Sequence, residues 1–263
     1  MNKRGLQCNH LIFDKYCFWH KKQITFIDLF SGAGGFSLGL KKSGLKHIYG
    51  IDSCAFACET YKKNVGFNIR GDLCALKPPK LKEEVDVLIG SPPCQSFSLA
   101  NRRSTNNLED RSLLYLSFLN YLKFYTPKIF VLENVIGLLS HKLKDGSKSI
   151  NNMIQDFSVG YCVKIFKICC SDFGVPQKRK RILIIGVRKD FGLFFPDLKK
   201  YPCSKVLRSL LLDEKNVPSN YFLSKKAISG ILRRKAANFL KGNGFDAQYL
   251  NIDGFCNTIT ANY

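Results

Sequence analysis

The stretch Phe26–Leu40 constrains the fold most, because it passes from an apolar strand through a small-residue turn into a helical pattern. Gly32, Gly34 and Gly35 allow a tight turn and let a ligand approach the backbone, while the following helix offers free amide groups. The turn lacks the lysine of a phosphate-binding P-loop, which disfavours ATP or GTP hydrolysis. It predicts either a nucleotide-like ligand or a strand-to-helix turn without one.

Two acidic residues follow the next two predicted strands. His47–Asp52 ends in a carboxylate about twenty residues after the turn, where a doubly wound sheet binds ribose hydroxyls. Asp72 follows a shorter strand-like piece. Two acids without a basic phosphate clamp suit a ligand that has an adenosine end and a cationic centre, such as S-adenosylmethionine. Taken singly, each aspartate is also compatible with a helix cap.

A proline-braced loop, Gly90–Ser98, follows the apolar strand Val85–Ile89. Pro92 and Pro93 restrict the backbone and remove amide donors, so the loop is stiff and presents the Cys94 thiol in a fixed direction. This arrangement predicts a nucleophile, and a buried structural cysteine is the alternative.

Polar residues also end the next predicted strand, Pro127–Val135, whose apolar run stops at Glu133 and Asn134. Because ligands bind at the carboxyl ends of strands in open α/β sheets, we expect Glu133 on the same rim as Cys94. A carboxylate at a helix N-terminus is the alternative. The basic turn Asp172–Arg181 suits polar contacts to a nucleobase or phosphate, or is a solvated hairpin.

In this order, these segments resemble the signature blocks of the cytosine-carbon-5 DNA methyltransferase family. The matching blocks are Asp28–Gly35, Gly90–Ser98, Glu133–Val135 and Gln177–Arg181. With the alternation of strands and helices, the resemblance predicts an α/β fold, namely a Rossmann-like methyltransferase sheet, mostly parallel, with helices on both faces. The stretch Gly160–Val187 predicts an antiparallel edge hairpin, and Leu108–Phe124 is the clearest helix.

The resemblance implies a covalent mechanism in which the Cys94 thiolate adds to carbon 6 of cytosine. Glu133, protonated or sharing a proton, would hydrogen-bond the ring. Arg181 and Arg179 would hold the base oxygen or the loop carrying Cys94, and Asn134 would brace that loop.

S-adenosylmethionine is the cofactor that the resemblance implies. Phe30 would pack near the adenine, Asp52 would bind the ribose hydroxyls and Asp72 would meet the adenine amine. Asp52 stands where many members of the family have glutamate. The implied cofactor-binding residues are Phe30, Ser31, Gly32, Ala33, Gly34, Gly35, Asp52, Asp72, Leu73, Pro93 and Leu114.

Double-stranded DNA is the implied partner. A paired cytosine lies within the stack, so the nucleotide must rotate out to react. The polar stretch Ser96–Asn107 corresponds to the loop that closes over DNA in the family, and an ordinary surface loop is the alternative. The implied DNA-contacting residues are Gln95, Ser98, Arg102, Arg103 and Gln177.

Composition agrees with a polyanion partner, since 41 Lys and Arg against 20 Asp and Glu give a formal net charge of +21. No apolar run approaches the roughly twenty residues of a spanning helix and no secretory signal opens the chain, so we expect a cytoplasmic protein without a membrane partner. Eleven cysteines without a regular framework favour reduced thiols. The spacing of Cys8, His10, Cys17 and His20 is not a standard zinc pattern, and we predict no metal site.

Three regions are predicted: an N-terminal extension over residues 1–22, an S-adenosylmethionine-binding catalytic domain over 23–190, and a basic segment over 191–263 that leads toward a target-recognition region. No recognition region of usual length follows, and the Gly-Asn-Ser/Ala-Val block that normally completes the cofactor pocket is not found. We interpret the chain as a catalytic half, completed by a second subunit, or as a shortened reading frame.

The sequence thus predicts a DNA (cytosine-5-)-methyltransferase of a restriction-modification system. Two alternatives stay open. One is a tRNA cytosine-5 methyltransferase of the same fold, and the other is an inactive, truncated remnant that binds nucleic acid in a salt-sensitive way.

Overall fold

The computed structural model describes residues 23–93, 108–142, 146–192, 195, 197–201, 204–242 and 249–259, without the side chains of residues 108–113. The chain forms two compact units. The first contains the described residues up to Lys167 together with Arg181–Asp197, and the second contains Ile168–Lys180 together with the residues from Leu198 onward.

Nine strands and five α-helices make up the regular structure of the described residues. The strands are β1 (Thr25–Leu29), β2 (Lys46–Asp52), β3 (Asn68–Arg70), β4 (Val87–Gly90), β5 (Ile129–Val135), β6 (Tyr161–Cys169), β7 (Gln177–Lys178), β8 (Lys180–Arg188) and β9 (Cys256–Asn257). The helices are α1 (Gly35–Lys42), α2 (Ala55–Asn64), α3 (Leu108–Tyr125), α4 (Ser149–Ser158) and α5 (Lys225–Leu240).

A seven-stranded sheet in the order β3-β2-β1-β4-β5-β8-β6 organises the first unit. The strands from β3 to β5 pair in parallel, whereas β8 runs antiparallel to β5 and lies between β5 and β6. This arrangement confirms the predicted Rossmann-like methyltransferase sheet with its antiparallel strand near one edge. The predicted helix Leu108–Phe124 is also confirmed, as α3.

Apolar side chains cover both faces of this sheet. Phe26 belongs to one cluster, in which Phe36 and Leu40 of α1 take part, and the next residue, Ile27, belongs to another, with α3 and α4. Because successive residues of a strand point to opposite faces, the two clusters are the two faces of the sheet. The helices therefore lie on both sides, which leaves the strand ends open at the edges.

The second unit contains less regular structure. Its strands β7 and β9 form a two-stranded parallel pair. The helix α5 begins after Ser224, whose hydroxyl accepts a hydrogen bond from the Ala227 amide at 3.2 Å. The structure describes every residue of α5, and none of them is buried.

Among the described residues, no helix has the length and apolar composition needed to cross a membrane. In the same part of the chain, no three His, Cys, Asp or Glu side chains lie where they could share a metal ion.

Candidate active site at the carboxyl edge of the sheet

The parallel strands bring three of the predicted site segments to one edge of the first unit. Their carboxyl ends are linked by backbone hydrogen bonds: the amide of Ser31 donates to Ile51 at 2.9 Å, and that of Ser91 donates to Leu29 at 3.1 Å. The glycine turn after β1, the acid at the end of β2 and the start of the loop after β4 therefore lie side by side. This is the edge at which open α/β sheets bind their ligands.

The glycine turn, residues 30–35, has a left-handed backbone at three positions. Phe30, Gly32 and Gly34 have φ values of 56°, 52° and 93°. A β-carbon added at Gly32 or Gly35 would meet no atom within 4 Å, so both positions are open to a ligand. Gly34 differs, because a β-carbon there would lie 2.5 Å from Val65 and 2.8 Å from the Tyr61 ring, which makes its glycine a packing requirement.

Asp52 ties this turn to the neighbouring strand and helix. One carboxylate oxygen accepts from the Gly32 amide at 2.8 Å, and the other accepts from the Cys54 amide, also at 2.8 Å. The carboxylate thus holds the glycine turn and the entry to α2 at the same time. Asp52 lies beside the predicted cofactor turn, whereas the N-cap residue of α2 is Cys54.

Asp72 is exposed in the turn that follows β3, where its carboxylate accepts from the Cys74 amide at 2.9 Å. Its neighbour Leu73 is buried in the core cluster that contains Ile27. Leu114 of α3 is half-buried, and Pro93 is exposed. The four residues expected around a nucleoside thus lie in three places: Asp72 and Leu73 after β3, Pro93 after β4, and Leu114 in α3.

Glu133 and Arg181 form an ion pair at the end of the antiparallel strands β5 and β8. Arg181 Nε donates to Glu133 Oε1 at 2.8 Å, and the side chains are 14% and 21% exposed. Glu133 lies within β5 itself, which contradicts the interpretation as a helix N-terminal carboxylate. The pair presents a carboxylate and a guanidinium together at the end of the strand next to β4.

Asn134 is buried, and its side-chain oxygen accepts from the amide of Val135 at 2.8 Å. Gln177 and Arg179 belong to the second unit, where Gln177 pairs with Cys256 across β7 and β9. Five predicted site residues lie outside the described residues: Cys94, Gln95, Ser98, Arg102 and Arg103.

Sequence reasoning missed a buried polar group beneath the glycine turn. Asp28 is 1% exposed, and its carboxylate accepts from the hydroxyl of Ser37 at 2.6 Å. Burial raises the pKa of Asp28 to about 7, with a smaller contribution from the charge of Asp52, while the Ser37 hydrogen bonds act against the rise. The signal in the sequence is a carboxylate at the fourth position of β1, between the apolar residues Ile27 and Leu29.

Comparison with known proteins agrees with the fold and the order of the segments. The profile of the C-5 cytosine-specific DNA methylase family matches residues 24–261. The type II methyltransferase M.HpaII of Haemophilus parainfluenzae is 35% identical over 247 residues, which cover 91% of this chain and 67% of that protein. For M.DdeI of Desulfomicrobium norvegicum the identity is 41% over 195 residues, covering 71% and 45%.

Solved structures share the fold at lower identity. A prophage-encoded Escherichia coli protein described as a DNA modification methyltransferase has a TM-score of 0.67 at 21% identity, covering 90% of this chain and 82% of that one. The DNMT2 structure from Spodoptera frugiperda has a TM-score of 0.59 at 23% identity, covering 81% and 65%.

The chain spans between about half and two thirds of the length of the two type II relatives. The family profile nevertheless matches nearly all of it, and the glycine turn, Asp52 and the Glu133–Arg181 pair lie at strand ends of the sheet. The chain therefore belongs to the C-5 cytosine-specific DNA methylase family.

Proposed function

We propose that this chain transfers a methyl group from S-adenosylmethionine to carbon 5 of cytosine in DNA, as the modification enzyme of a restriction-modification system. The observation that supports this most is the Glu133–Arg181 ion pair at the end of β5. The neighbouring strand β4 continues into Ser91–Pro93, which leads directly to Cys94. An acid and a guanidinium next to the strand that leads to a cysteine supply the groups that this chemistry requires.

The residues at this edge fit S-adenosylmethionine. Open space next to Gly32 and Gly35 admits a ligand against the backbone, and Asp52 and Asp72 offer carboxylates to ribose hydroxyls and an adenine amine. The cofactor would supply a methyl group on a cationic sulfur. Carboxylates at this edge of the sheet favour the binding of such a positively charged ligand. The full set that would hold it is Phe30, Ser31, Gly32, Ala33, Gly34, Gly35, Asp52, Asp72, Leu73, Pro93 and Leu114.

In the proposed reaction, the thiolate of Cys94 adds to carbon 6 of the cytosine, and carbon 5 gains the electron density needed to take the methyl group. Glu133 shares a proton with ring nitrogen 3, which stabilises the charge that develops on the ring. Arg181 holds Glu133 in place through its 2.8 Å hydrogen bond. Loss of the proton from carbon 5 then expels the thiolate and restores the aromatic ring.

DNA is the proposed substrate, with the reacting cytosine rotated out of the duplex. The net charge of +21 supports binding to a polyanion. Gln95, Ser98, Arg102, Arg103 and Gln177 are proposed to contact the nucleic acid, and Arg179 the base or the loop that carries Cys94. A second polypeptide that carries the target-recognition region is proposed to complete the enzyme.

A trapping experiment tests the proposal. The chain is incubated with S-adenosylmethionine and a duplex containing 5-fluorocytosine, from which the carbon-5 substituent cannot leave as a proton. A stable covalent complex is expected, with loss of the complex in Cys94→Ser and formation slowed about 100-fold or more in Glu133→Gln. Glu59→Gln, on the exposed surface of α2, is the matched control and leaves trapping unchanged.

The reaction is run on DNA and on tRNA that both contain 5-fluorocytosine, with the chain alone and with the product of any adjacent reading frame. An adduct on DNA supports the proposal, and dependence on the second product supports the two-chain form. An adduct formed only on tRNA would mean that tRNA, and not DNA, is the substrate. Salt-sensitive binding without an adduct in any combination contradicts the enzymatic proposal and favours a binding remnant.

A further inference from the structure

Four polar side chains form a continuous hydrogen-bonded series beneath the glycine turn. The Ser37 hydroxyl lies 2.6 Å from Asp28 Oδ2 and 2.6 Å from the Tyr61 hydroxyl, which in turn lies 2.8 Å from Nε2 of His47. Asp28, Ser37 and Tyr61 are buried, at 1%, 0% and 0% exposure. Because they are shielded from water, each of these groups depends on the adjacent side chains of the series for its hydrogen bonds.

This hydrogen-bonded series contacts the backbone that would bind the cofactor. Ser37 lies in the first turn of α1, so the hydrogen bond from its hydroxyl to Asp28 ties the helix that follows the glycine turn to strand β1. The Tyr61 ring fills the space that side chains at Gly34 and Gly50 would need, since their β-carbons would lie 2.8 Å and 2.6 Å from it.

The hydroxyls of Ser37 and Tyr61 each carry one proton. The direction of the hydrogen bonds therefore depends on whether Asp28, at one end of the series, is ionised or protonated. When Asp28 is ionised, Ser37 donates to it, Tyr61 donates to Ser37, and His47 donates from Nε2 to Tyr61. When Asp28 is protonated, it donates to Ser37, Ser37 donates to Tyr61, and Tyr61 donates to Nε2 of His47, whose proton is then on Nδ1.

We propose that Asp28, Ser37, Tyr61 and His47 form a positioning relay, which holds the glycine turn in its cofactor-binding form when Asp28 is ionised and reverses direction when Asp28 is protonated. This inference rests on the proposed function, since it takes S-adenosylmethionine as the ligand of the turn. The ionised carboxylate accepts the hydrogen bond from the Ser37 hydroxyl and places negative charge beneath the site of a cationic ligand.

The charged groups around the relay place its reversal near neutral pH. Burial raises the pKa of Asp28 to about 7, and Asp52 at the end of β2 adds to the rise. Burial, together with the charge of Lys41 on α1, lowers the pKa of His47 to about 4. His47 is therefore neutral throughout the reversal, and what changes on it is the tautomer. The four residues of β4, the other neighbour of β1, carry no ionisable side chain.

Nitrogen-15 NMR of the histidine side chains in the whole chain tests the relay directly, because the two tautomers have distinct ring-nitrogen shifts. The chain has four histidines, and the His47 signals are assigned by their loss in His47→Gln. We expect His47 to be protonated on Nε2 above pH 7 and on Nδ1 below it. A His47 tautomer that does not change between pH 5.5 and 8.5 overturns the proposal.

Three variants separate the relay from a general change in structure. Asp28→Asn donates to Ser37 as the protonated acid does, so it fixes His47 in the Nδ1–H form at every pH. Ser37→Ala interrupts the relay, and the tautomer then no longer follows Asp28. The matched control, Ser43→Ala, removes an exposed hydroxyl at the other end of α1 and keeps the wild-type transition. A transition that persists in Ser37→Ala also overturns the proposal.

Calorimetric titration with S-adenosylmethionine at pH 6 and pH 8 then tests the positioning role. We expect wild type and Ser43→Ala to gain about tenfold more affinity between these pH values than Asp28→Asn does, which corresponds to about 1.4 kcal/mol. Equal pH dependence in all three proteins contradicts the positioning role. If wild type does not bind the cofactor at either pH, alone or with the second polypeptide, the proposed function fails instead, and the tautomer measurement still decides the relay.

Discussion

The two units of this chain differ in how their elements are supported. In the first, strands β1, β4 and β5 carry side chains with 0% exposure, including Phe26, Leu88 and Phe130. In the second, the helix α5 has no buried residue, and Phe239 and Leu240 at its end are 84% and 85% exposed. Since burial of apolar surface is the main stabilising term in folding, we expect the free energy of unfolding to be concentrated in the first unit.

Two glycine substitutions sharpen this comparison and carry the largest expected effect. A β-carbon at Gly186 of β8 would lie 1.9 Å from the Phe130 ring on the paired strand. We expect Gly186→Ala to lower the free energy of unfolding by about 3 kcal/mol or more, because neither the strand nor the buried ring can move away. Urea denaturation measures the loss, and hydrogen exchange followed by mass spectrometry assigns it to the first unit.

The matched substitution in the second unit is Gly230→Ala in α5, where an added β-carbon meets no atom within 4 Å. Here alanine should stabilise the helix by up to about 1 kcal/mol, since glycine is the poorer helix former. Slower exchange of the α5 amides is the expected readout. Equal losses of stability in the two variants would show that the two units do not differ in packing as their burial indicates.

The next prediction concerns two buried carboxylates of the first unit with opposite pKa shifts. Asp86 accepts from the Thr25 amide at 2.9 Å and from Lys128 Nζ at 2.5 Å. Burial acts to raise its pKa, but the hydrogen bonds from Lys128 and Thr25 outweigh burial and lower it. A lowered pKa means that the stabilisation is present above about pH 4 and is lost as the pH falls through the folded-state value.

We therefore expect Asp86→Asn to cost about 2 kcal/mol at pH 8, with the deficit shrinking below pH 4. The pKa shift of Asp28 has the opposite sign, because its pKa is raised from 3.8 to about 7 in the folded protein. Its folded form loses stability as the pH rises from about 4 to 7, so Asp28→Asn should raise Tm at pH 8 and change it little near pH 4. Thermal unfolding of both variants across this range measures the two signs, and a shared sign would contradict the assignment.

Much of the first unit is predictable from sequence because local pattern and burial agree there. The alternation of apolar strands and helices predicted the sheet, and polar residues at strand ends predicted which positions meet at its carboxyl edge. The ion pair of Glu133 with Arg181 depends on the antiparallel register of β5 and β8, which pairs Val135 with Arg181. A register of this kind is set by tertiary packing and does not follow from the periodicity of either strand.

The role of Asp28 was not predictable in the same way. Its partners Ser37, Tyr61 and His47 lie on three other elements, at sequence separations that no local pattern connects. The aspartates at the end of β2 and after β3 were recognised because they end predicted strands, where open α/β sheets bind ligands, whereas a carboxylate inside a largely apolar strand gives only a sign that something must satisfy it. Sequence reasoning can identify such a group as unusual, and the fold alone identifies its partners.

The smallest expected effect comes from an ion pair of the second unit. Arg208 donates to Asp253 through Nε and a terminal nitrogen, at 2.8 Å and 2.9 Å, and both side chains are more than half exposed. The Arg208 hydrogen bonds lower the pKa of Asp253. Arg208→Ala should return this pKa toward its ordinary value in an NMR titration while leaving Tm unchanged within error, because water screens an exposed pair. A loss of Tm comparable to that of Asp86→Asn would mean that this pair stabilises the second unit as buried contacts stabilise the first, and the comparison between the two units would fail.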